Sequence, residues 1–452
     1  MTSLNSRPPR DRATGPSATP LAVDPSRWPD VAAVPGGFIT SVRARIAERL
    51  FRRAVSRLPL SVEYPDQTRL GSAPGTITPR LIIRRPQAFA RRVGARGLVG
   101  FGEAFMAGDW CSDDLVGVLT PFAAQASSLI PPPLQLLRRL AVPRKPADED
   151  NALGNTASHI ARHYDLSNDL FAAFLDDTMT YSSALFTTDS VTTPDSSTVP
   201  DSSAIPRQSW SGLAAAQHRK IDRLLDLAQV GPGCRLLEIG TGWGELSLRA
   251  AQRGAQVVSV TLSAEQRQYA MQRVDAAGFR DRVRVELCDY REITGSFDAV
   301  VSVEMIEAVG HKYWPVYFST IDSLLAPGGR AAIQAITMPH DRMIASRSTY
   351  TWIHKYIFPG GELTSLPALT EVVGAHTGLV MTAGTGIGAH YAETLRLWRE
   401  RFGESHHRVT ELGFDTTFMR MWEFYLAYSE AGFRAGYLDV HQLLLTRPED
   451  QR

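Results

Sequence analysis

The stretch Leu236-Leu237-Glu238-Ile239-Gly240-Thr241-Gly242-Trp243-Gly244 constrains this chain more than any other. An apolar run breaks into three closely spaced glycines and resumes as the helical pattern Glu245-Leu246-Ser247-Leu248-Arg249-Ala250-Ala251, so the unit reads as strand, tight turn, helix. Glycine tolerates positive φ and lets a ligand approach the backbone. Such a turn at the carboxyl end of a parallel strand forms a floor for a nucleotide-like cofactor. A dinucleotide fingerprint requires glycine or alanine at position 245; Glu245 stands there and argues against a pyrophosphate on the helix N-terminus. The turn suits a cofactor without a diphosphate.

With 452 residues, 44% of them hydrophobic, the chain is long enough for two folded parts. No apolar run reaches the roughly 18 residues needed to span a bilayer. Residues 1–30 carry Pro8, Pro9, Pro16, Pro20, Pro25 and Pro29, lack the apolar centre of a signal peptide, and are expected to form a disordered tail. The scattered Cys111, Cys234 and Cys288 suit neither a disulfide framework nor a zinc cluster and fit a reducing cytoplasm. The net charge of +1 hides an asymmetry: residues 1–147 hold 21 Lys and Arg against 10 Asp and Glu, which is +11 and leaves −10 to the rest. Arg43, Arg45, Arg49, Arg52, Arg53 and Arg57 form one basic group; Arg80, Arg84, Arg85, Arg91, Arg92 and Arg96 form another. Both imply a phosphate-bearing partner, either lipid headgroups or nucleic acid.

Residues 31–142 read as a smaller amino-terminal α+β domain that docks on lipid. Its basic amphipathic helix over 41–58, with Val42, Ile46, Leu50, Phe51 and Val55, fits either packing on its own domain or contact with a membrane surface. Short β-branched runs over 60–85 suggest a small sheet, and 115–140 is helical. Residues 143–154 read as a linker. Residues 187–209, where Pro-Asp-Ser-Ser occurs twice, read as a mobile insert without a core. After the glycine turn, strands at 256–261, 284–288, 299–303 and 330–336 alternate with helical stretches, which predicts a doubly wound α/β sheet binding its ligands outside the strand carboxyl ends. Residues 345–440 are mainly helical, rich in aromatic side chains, and suited to cap the site.

Leu237 to Gly244 resembles the first motif of the class I S-adenosylmethionine-dependent methyltransferases, and Pro327-Gly328-Gly329 before a late strand resembles another of their landmarks. More local motifs are Arg162-His163-Tyr164-Asp165-Leu166-Ser167-Asn168 with Met179-Thr180-Tyr181-Ser182, Thr261-Leu262-Ser263-Ala264-Glu265-Gln266, Lys355-Tyr356-Ile357-Phe358-Pro359-Gly360-Gly361 and His390-Tyr391-Ala392-Glu393-Thr394-Leu395. Together they resemble the cyclopropane fatty acid synthase family, nearest to its actinobacterial unsaturated-fatty-acid methyltransferases of tuberculostearic acid synthesis. The resemblance runs from about residue 38 to 445, the insert excepted, and implies a Rossmann-like class I methyltransferase domain over 155–445.

S-adenosylmethionine needs room for its aminoacyl arm beside a glycine turn, a polar group for its ribose and an acceptor for its adenine amine. Glu238 with Gly240, Gly242 and Gly244, then Thr261 with Ser263 and Gln266, then Asp289 are placed to supply these in order. Asp289 equally fits a helix N-cap. By the resemblance, Tyr164, Tyr181 and Ser182 close over the aminoacyl end. The implied reaction puts a methyl on a carbon of a cis alkene and leaves a carbocation, which must be kept from water and must lose a proton. The resemblance also implies a bicarbonate ion as base, gripped by a glutamate, a histidine, a tyrosine, a cysteine and backbone groups. Glu307, Tyr391 and Ile336 match the glutamate, the tyrosine and a backbone contact, whereas Ser183 stands for the cysteine and Gln334 for the histidine. Both replacements donate hydrogen bonds, but Gln334 cannot relay a proton as histidine can. Glu307 acting directly as the base is the alternative, and Glu304 with Glu307 also fits two acids in the first turn of a helix.

Closure of the added methyl on the neighbouring cationic carbon gives a cyclopropane; a hydride shift before proton loss gives an exocyclic methylene. Ser183, Gln334 and the nearer resemblance favour a 10-methylene product. The expected partners are unsaturated phospholipid acyl chains at the inner face of the cell membrane, where the protein is peripheral; a homo-oligomer and a downstream reductase are compatible with this. A nucleic-acid partner is disfavoured, because Val303-Glu304-Met305-Ile306-Glu307 stands where an amino-methylating enzyme carries an Asn/Asp-Pro-Pro-Tyr/Phe motif. No His-Glu-x-x-His pattern suggests a metal. The rival of another class is a lipid-binding protein with an inactive methyltransferase fold.

Overall fold

The computed structural model describes residues 22–72, 78–125, 167–187, 205–347, 349–384 and 386–447. The amino-terminal part carries β1 (Ser61–Glu63), β2 (Arg69–Gly71), β3 (Arg80–Ile83) and β4 (Trp110–Ser112), in the sheet order β2-β1-β3-β4. The main sheet follows with β5 (Arg235–Ile239), β6 (Gln256–Thr261), β7 (Val283–Leu287), β8 (Phe297–Val303), β9 (Leu325–Thr337), β10 (Val380–Ala383) and β11 (Asp439–Thr446), in the order β10-β11-β9-β8-β5-β6-β7.

β5 to β9 are parallel, with Leu237 opposite Val258 on one side and Val300 on the other. The apolar runs of β5, β6 and β8 are buried because helices cover both faces of a parallel sheet, whereas the edge strand β7 alternates and leaves Leu287 exposed. The helices Glu245–Gln252, Ala264–Ala276 and Trp314–Leu324 make the crossovers. β11 runs antiparallel to β9 and β10, so the sheet is mixed at this edge, where the sequence pattern suggests no strand.

The amino-terminal part shares one core with the cap. Phe105 and Trp110 lie 5.4 and 6.3 Å from Phe424 of the helix Thr416–Arg434, and Trp352 lies 4.8 Å away (ring centroids). Burying each such ring contributes about 1.5–3 kcal/mol, and Phe424→Ala would cost about 3–5 kcal/mol.

Several expectations change at this level. The tail does not include 22–30: Trp28 donates to Asp415 (2.8 Å) and Asp30 pairs with Arg96 (2.8 Å) and Lys355 (2.6 Å). Likewise the end of the insert is docked, with Arg207 on Glu400 (2.7 Å) and the Gln208 N–H on Glu393 (2.5 Å). Residues 1–21, the rest of the insert at 188–204 and the linker at 143–154 lie outside the described residues. The second arginine group is only partly internal: Arg92 is buried, Arg85, Arg91 and Arg96 are half-buried, and Arg80 and Arg84 are exposed. Arg85 and Arg92 hold Asp109 (2.7 and 2.9 Å), Arg96 holds Glu103 (2.8 Å), and Arg80 holds Asp113 (2.5 Å). Arg96, Arg92 and Arg80 meet these acids 7, 17 and 33 positions away.

Candidate active site

At the end of β5, Gly240, Gly242 and Gly244 turn the chain with φ of 97°, 52° and 90°. A Cβ on Gly244 would sit 2.9 Å from Ala270 Cβ, whereas one on Gly242 would meet nothing within 4 Å. The last glycine permits helix packing, and the middle one borders open space that a ligand can fill. Beneath the turn, Glu238 Oε2 accepts from the hydroxyls of Ser247 (2.5 Å) and Ser259 (2.6 Å), and Ser259 meets the Thr241 hydroxyl at 2.7 Å. Burial pushes the Glu238 carboxyl up to about 7 against these hydrogen bonds. In this structure Glu238 braces the turn from below. Glu245 is held by Arg273 (2.5 Å) and His218 (2.9 Å), and Arg273 also donates to the carbonyls of Trp243 (3.0 Å) and Thr178 (3.1 Å).

Beyond β6, the Thr261 hydroxyl donates to Gln266 Oε1 (3.0 Å), which leaves the Gln266 amide as a donor on a buried shelf. Ser263 caps the next helix by accepting from the Gln266 N–H (3.1 Å). Asp289, after β7, realises its N-cap alternative: it accepts from the backbone N–H (3.0 Å) and the guanidinium (2.8 and 2.6 Å) of Arg291. Burial alone would raise its carboxyl, but these bonds bring it below the ordinary value. Its remaining lone pairs are what an adenine amine could use.

The ends of β8 and β9 converge on a second, buried cluster. Glu304 has φ of 48°, a left-handed backbone that costs a non-glycine residue of order 1–3 kcal/mol. Its Oε1 accepts from the Ser183 N–H (2.9 Å) and Gln334 Nε2 (2.8 Å), and the Tyr391 hydroxyl donates to the same carboxylate. Glu307, in the 3-10 turn Ile306–Ala308, accepts from the Ile336 N–H at Oε1 (2.6 Å); its buried Oε2 has no hydrogen-bond partner among the described residues. The two acids therefore do not sit in the first turn of an α-helix, because the backbone at Glu304 breaks any helical path. The Ser183 hydroxyl also departs from expectation: it donates to the Ala184 carbonyl (3.1 Å), and Ser183 meets the cluster through its backbone, its N–H on Glu304 and its carbonyl accepting from Gln334 Nε2 (3.3 Å).

Burial, and next the charge of Glu304, push Glu307 up to about 8. Burial raises Glu304 as well, opposed first by the Ser183 N–H and then by Lys220 and Gln334. Two neighbouring carboxyls of this kind titrate as a pair. Lys220, fully buried, donates to the Ser182 hydroxyl (2.6 Å); burial brings its ammonium down to about 8, with Glu304 the first group to oppose this. Gln442 joins the cluster by donating to Gln334 Oε1 (3.0 Å). The Tyr181 and Tyr425 hydroxyls meet at 2.7 Å, and the Tyr181 ring packs 5.3 Å from Trp398.

Glu307, Tyr391, Gln334, Ile336, Ser183 and Ser182 thus come together, while Thr261, Ser263, Gln266 and Asp289 line the neighbouring strand ends. Tyr164 lies outside the described residues. Sequence patterning overlooks Lys220, Gln442 and Tyr425. The one signal for Lys220 is its place on the buried face of the helix Leu213–Leu227, between Ala216 and Leu224.

The family described as mycolic acid cyclopropane synthetase matches residues 152–443. Tuberculostearic acid methyltransferase UfaA1 of Mycobacterium tuberculosis is 55% identical over 432 residues, covering 95% of this chain and 98% of that protein. The cyclopropane-fatty-acyl-phospholipid synthase of Escherichia coli strain K12 is 31% identical over 381 residues, or 83% and 89% of the two chains. The crystal structure of mycolic acid cyclopropane synthase CmaA1 complexed with SAH and CTAB is similar with a TM-score of 0.55 and 30% identity, covering 67% of this chain and 99% of that one.

Proposed function

Since the chain belongs to the mycolic acid cyclopropane synthetase family, we propose that it converts the cis double bond of an oleoyl phospholipid into a 10-methylene acyl chain, the precursor of tuberculostearic acid. Its fold is that of the class I methyltransferases, and it is an S-adenosylmethionine-dependent enzyme that methylates unsaturated fatty acyl chains. The observation that carries the product is the 55% identity to a tuberculostearic acid methyltransferase, against 31% to the phospholipid cyclopropane synthase.

S-adenosylmethionine, when bound, supplies an electrophilic sulfonium methyl. The open space at Gly242, the shelf of Thr261 and Gln266, and Asp289 fit its three parts, with Ser182 and Tyr181 at the aminoacyl end. The cation left on the acyl chain must meet a base before it meets water. Tyr181, Trp398, Tyr425 and Phe358 form an aromatic wall that excludes water. Beside it, Glu307 with Tyr391, Gln334 and the N–H groups of Ser183 and Ile336 form the polar face where the proton is lost.

Access to phospholipid runs through the helix Phe38–Val55. It turns Ala44, Phe51 and Val55 inward but leaves Phe38 (84%), Ile39 (69%) and Ile46 (51%) exposed. Arg43, Arg45, Arg49 and Arg53 lie along it and Arg57 just past its end, with no ion pair among the described residues, which matches an anionic lipid surface. No helix among the described residues is long and apolar enough to cross a membrane. The methylene product would then need a separate reducing step to become the methyl branch.

The test is incubation with methyl-labelled S-adenosylmethionine and dioleoyl phosphatidylglycerol vesicles, followed by mass spectrometry and NMR of the lipid. Labelled exocyclic methylene signals are expected. Cyclopropane signals would overturn the product, and absence of label in the lipid would overturn the activity.

A further inference from the structure

We propose that Glu304 is a catalytic residue: its carboxylate occupies the cradle where a free oxyanion such as bicarbonate would sit, and it takes the proton lost from the transferred methyl. This rests on the methylene-forming reaction above. Three donors from three separate segments converge on the Glu304 carboxylate: the Ser183 N–H, Nε2 of Gln334 on β9, and the hydroxyl of Tyr391 in the helix Gly388–Glu404. Preorganised donors of this kind stabilise an anion in a dry site. They belong to the set that the sequence resemblance allots to bicarbonate. With the carboxylate in place they are already engaged, and an added anion would lie against a buried negative charge. Bicarbonate does not fit this arrangement.

The backbone supports the same conclusion. A left-handed φ of 48° is sterically easy for glycine and costly for glutamate, so the strain is explained if the side chain has to reach this point. The Glu304 N–H is fixed by the Gln334 carbonyl (2.8 Å), which sets the carboxylate against its donors. Lys220, buried behind Ser182, is the cation that acts on Glu304 and opposes the rise that burial imposes on its carboxyl.

The step balances. After the hydride shift the cation is on the methyl-bearing carbon. A methyl C–H bond breaks, its electron pair becomes the new C=C bond, and the proton forms an O–H bond on Glu304. The resulting carboxylic acid returns its proton to solvent when product leaves.

The test uses the full chain, Glu304→Gln and Glu304→Gly, with SAH affinity by calorimetry as the control for folding. In bicarbonate-depleted buffer the wild-type rate should be unchanged, and carbon-13 bicarbonate should show no binding by NMR. Glu304→Gln should lose about 10²–10⁴-fold in rate, the range for a positioned base, with SAH affinity retained. Glu304→Gly should bind labelled bicarbonate and regain activity when it is added, which a purely structural role would not produce. Bicarbonate binding to the wild type, a wild-type rate that needs bicarbonate, or an unimpaired Glu304→Gln would overturn the inference. Should Glu304→Gly fail to fold, the near-isosteric Glu304→Gln and the wild-type titration decide. Should the wild type label no lipid, the proposed function falls, while the bicarbonate titration still decides who occupies the cradle.

Discussion

Between the amino-terminal part and the cap, Glu103 and Asp109 are fully buried, and each faces cations: Arg96 and Lys355 close on Glu103 (2.8 and 2.6 Å), Arg85 and Arg92 on Asp109 (2.7 and 2.9 Å). At the ends of β8 and β9, Glu304 and Glu307 are half-buried, Lys220 is the cation that acts on Glu304, and the buried Oε2 of Glu307 is left without a hydrogen-bond partner among the described residues. Buried charge normally demands partners, because an unpaired ion in the interior costs several kcal/mol. The first cluster supplies those partners and fastens two parts of the fold together, though burial still outweighs both arginines and raises the Asp109 carboxyl. The second breaks the rule, which a chain tolerates where carboxyls of raised affinity for protons are useful. Paired burial marks architecture here, and underpaired burial marks chemistry.

The sharpest way to break this contrast is to remove one carboxylate from each cluster. Glu103→Ala should strand Arg96 and Lys355 and destabilise the protein by about 3–5 kcal/mol, as for a broken buried pair. Glu307→Gln should leave stability at pH 7 unchanged or slightly higher, since an amide replaces a carboxyl that the fold charges only with difficulty. Denaturant unfolding of both variants measures this. Equal losses would show that the two clusters follow one rule.

This contrast also explains what the sequence could and could not tell. Strands β5, β6 and β8 are legible because parallel strands covered on both faces need apolar runs, and the expected 256–261 matches β6 to the residue. The tight turn after β5 is legible for a different reason, since positive φ at Gly240, Gly242 and Gly244 leaves a glycine signature. β10 is a largely exposed edge, and β11 follows a long helical stretch, so neither carries a clear pattern. The arginines at 80–96 look like a lipid-facing surface because the sequence does not show which acids they meet: Arg96 pairs with both Glu103, 7 positions away, and Asp30, 66 positions away. Glu304 was hidden more deeply. Its place depends on the sign of one backbone angle, and no residue pattern announces a glutamate in a conformation suited to glycine.

A smaller effect separates the clusters by pH. The Glu307 carboxyl is raised from 4.5 to about 8 in the folded protein, so the folded state holds its proton more tightly than the unfolded chain does. Its contribution is fully present below pH 4.5 and is lost as pH rises to about 8, by at most about 1.4 kcal/mol per unit. Lys220 acts in the opposite sense in another window: its ammonium is lowered from 10.5 to about 8, so stability recovers between about 8 and 10.5 as the unfolded chain also deprotonates. Glu304, Tyr391, Asp176 and Glu245 also act on these two groups and set how the proton is shared. Unfolding midpoints across pH should fall and then partly recover in the wild type, and Glu307→Gln should flatten the fall. An unchanged slope in that variant would remove Glu307 from the account.

The smallest effect distinguishes arginines that fasten the fold from arginines that face outward. Arg92 is 1% exposed and bonded to Asp109 and to the carbonyls of Asp30 and Ala33, so its loss should act on folding. Arg45 and Arg49 are exposed on the helix Phe38–Val55 beside Ile46 and have no ion pair among the described residues. Replacing either by alanine should leave unfolding unchanged and weaken binding to anionic phospholipid vesicles by about 1 kcal/mol, roughly fivefold. The loss should shrink as salt rises, because headgroup pairing is screened over about 10 Å at 0.1 M. Ile46→Ser should weaken vesicle binding with little dependence on salt, since it removes apolar insertion rather than charge. Vesicle sedimentation over a salt series measures all three. Equal binding of the wild type to neutral and anionic vesicles would assign these outward arginines to solvation, and the helix would lose its role in presenting the acyl chain to Glu304.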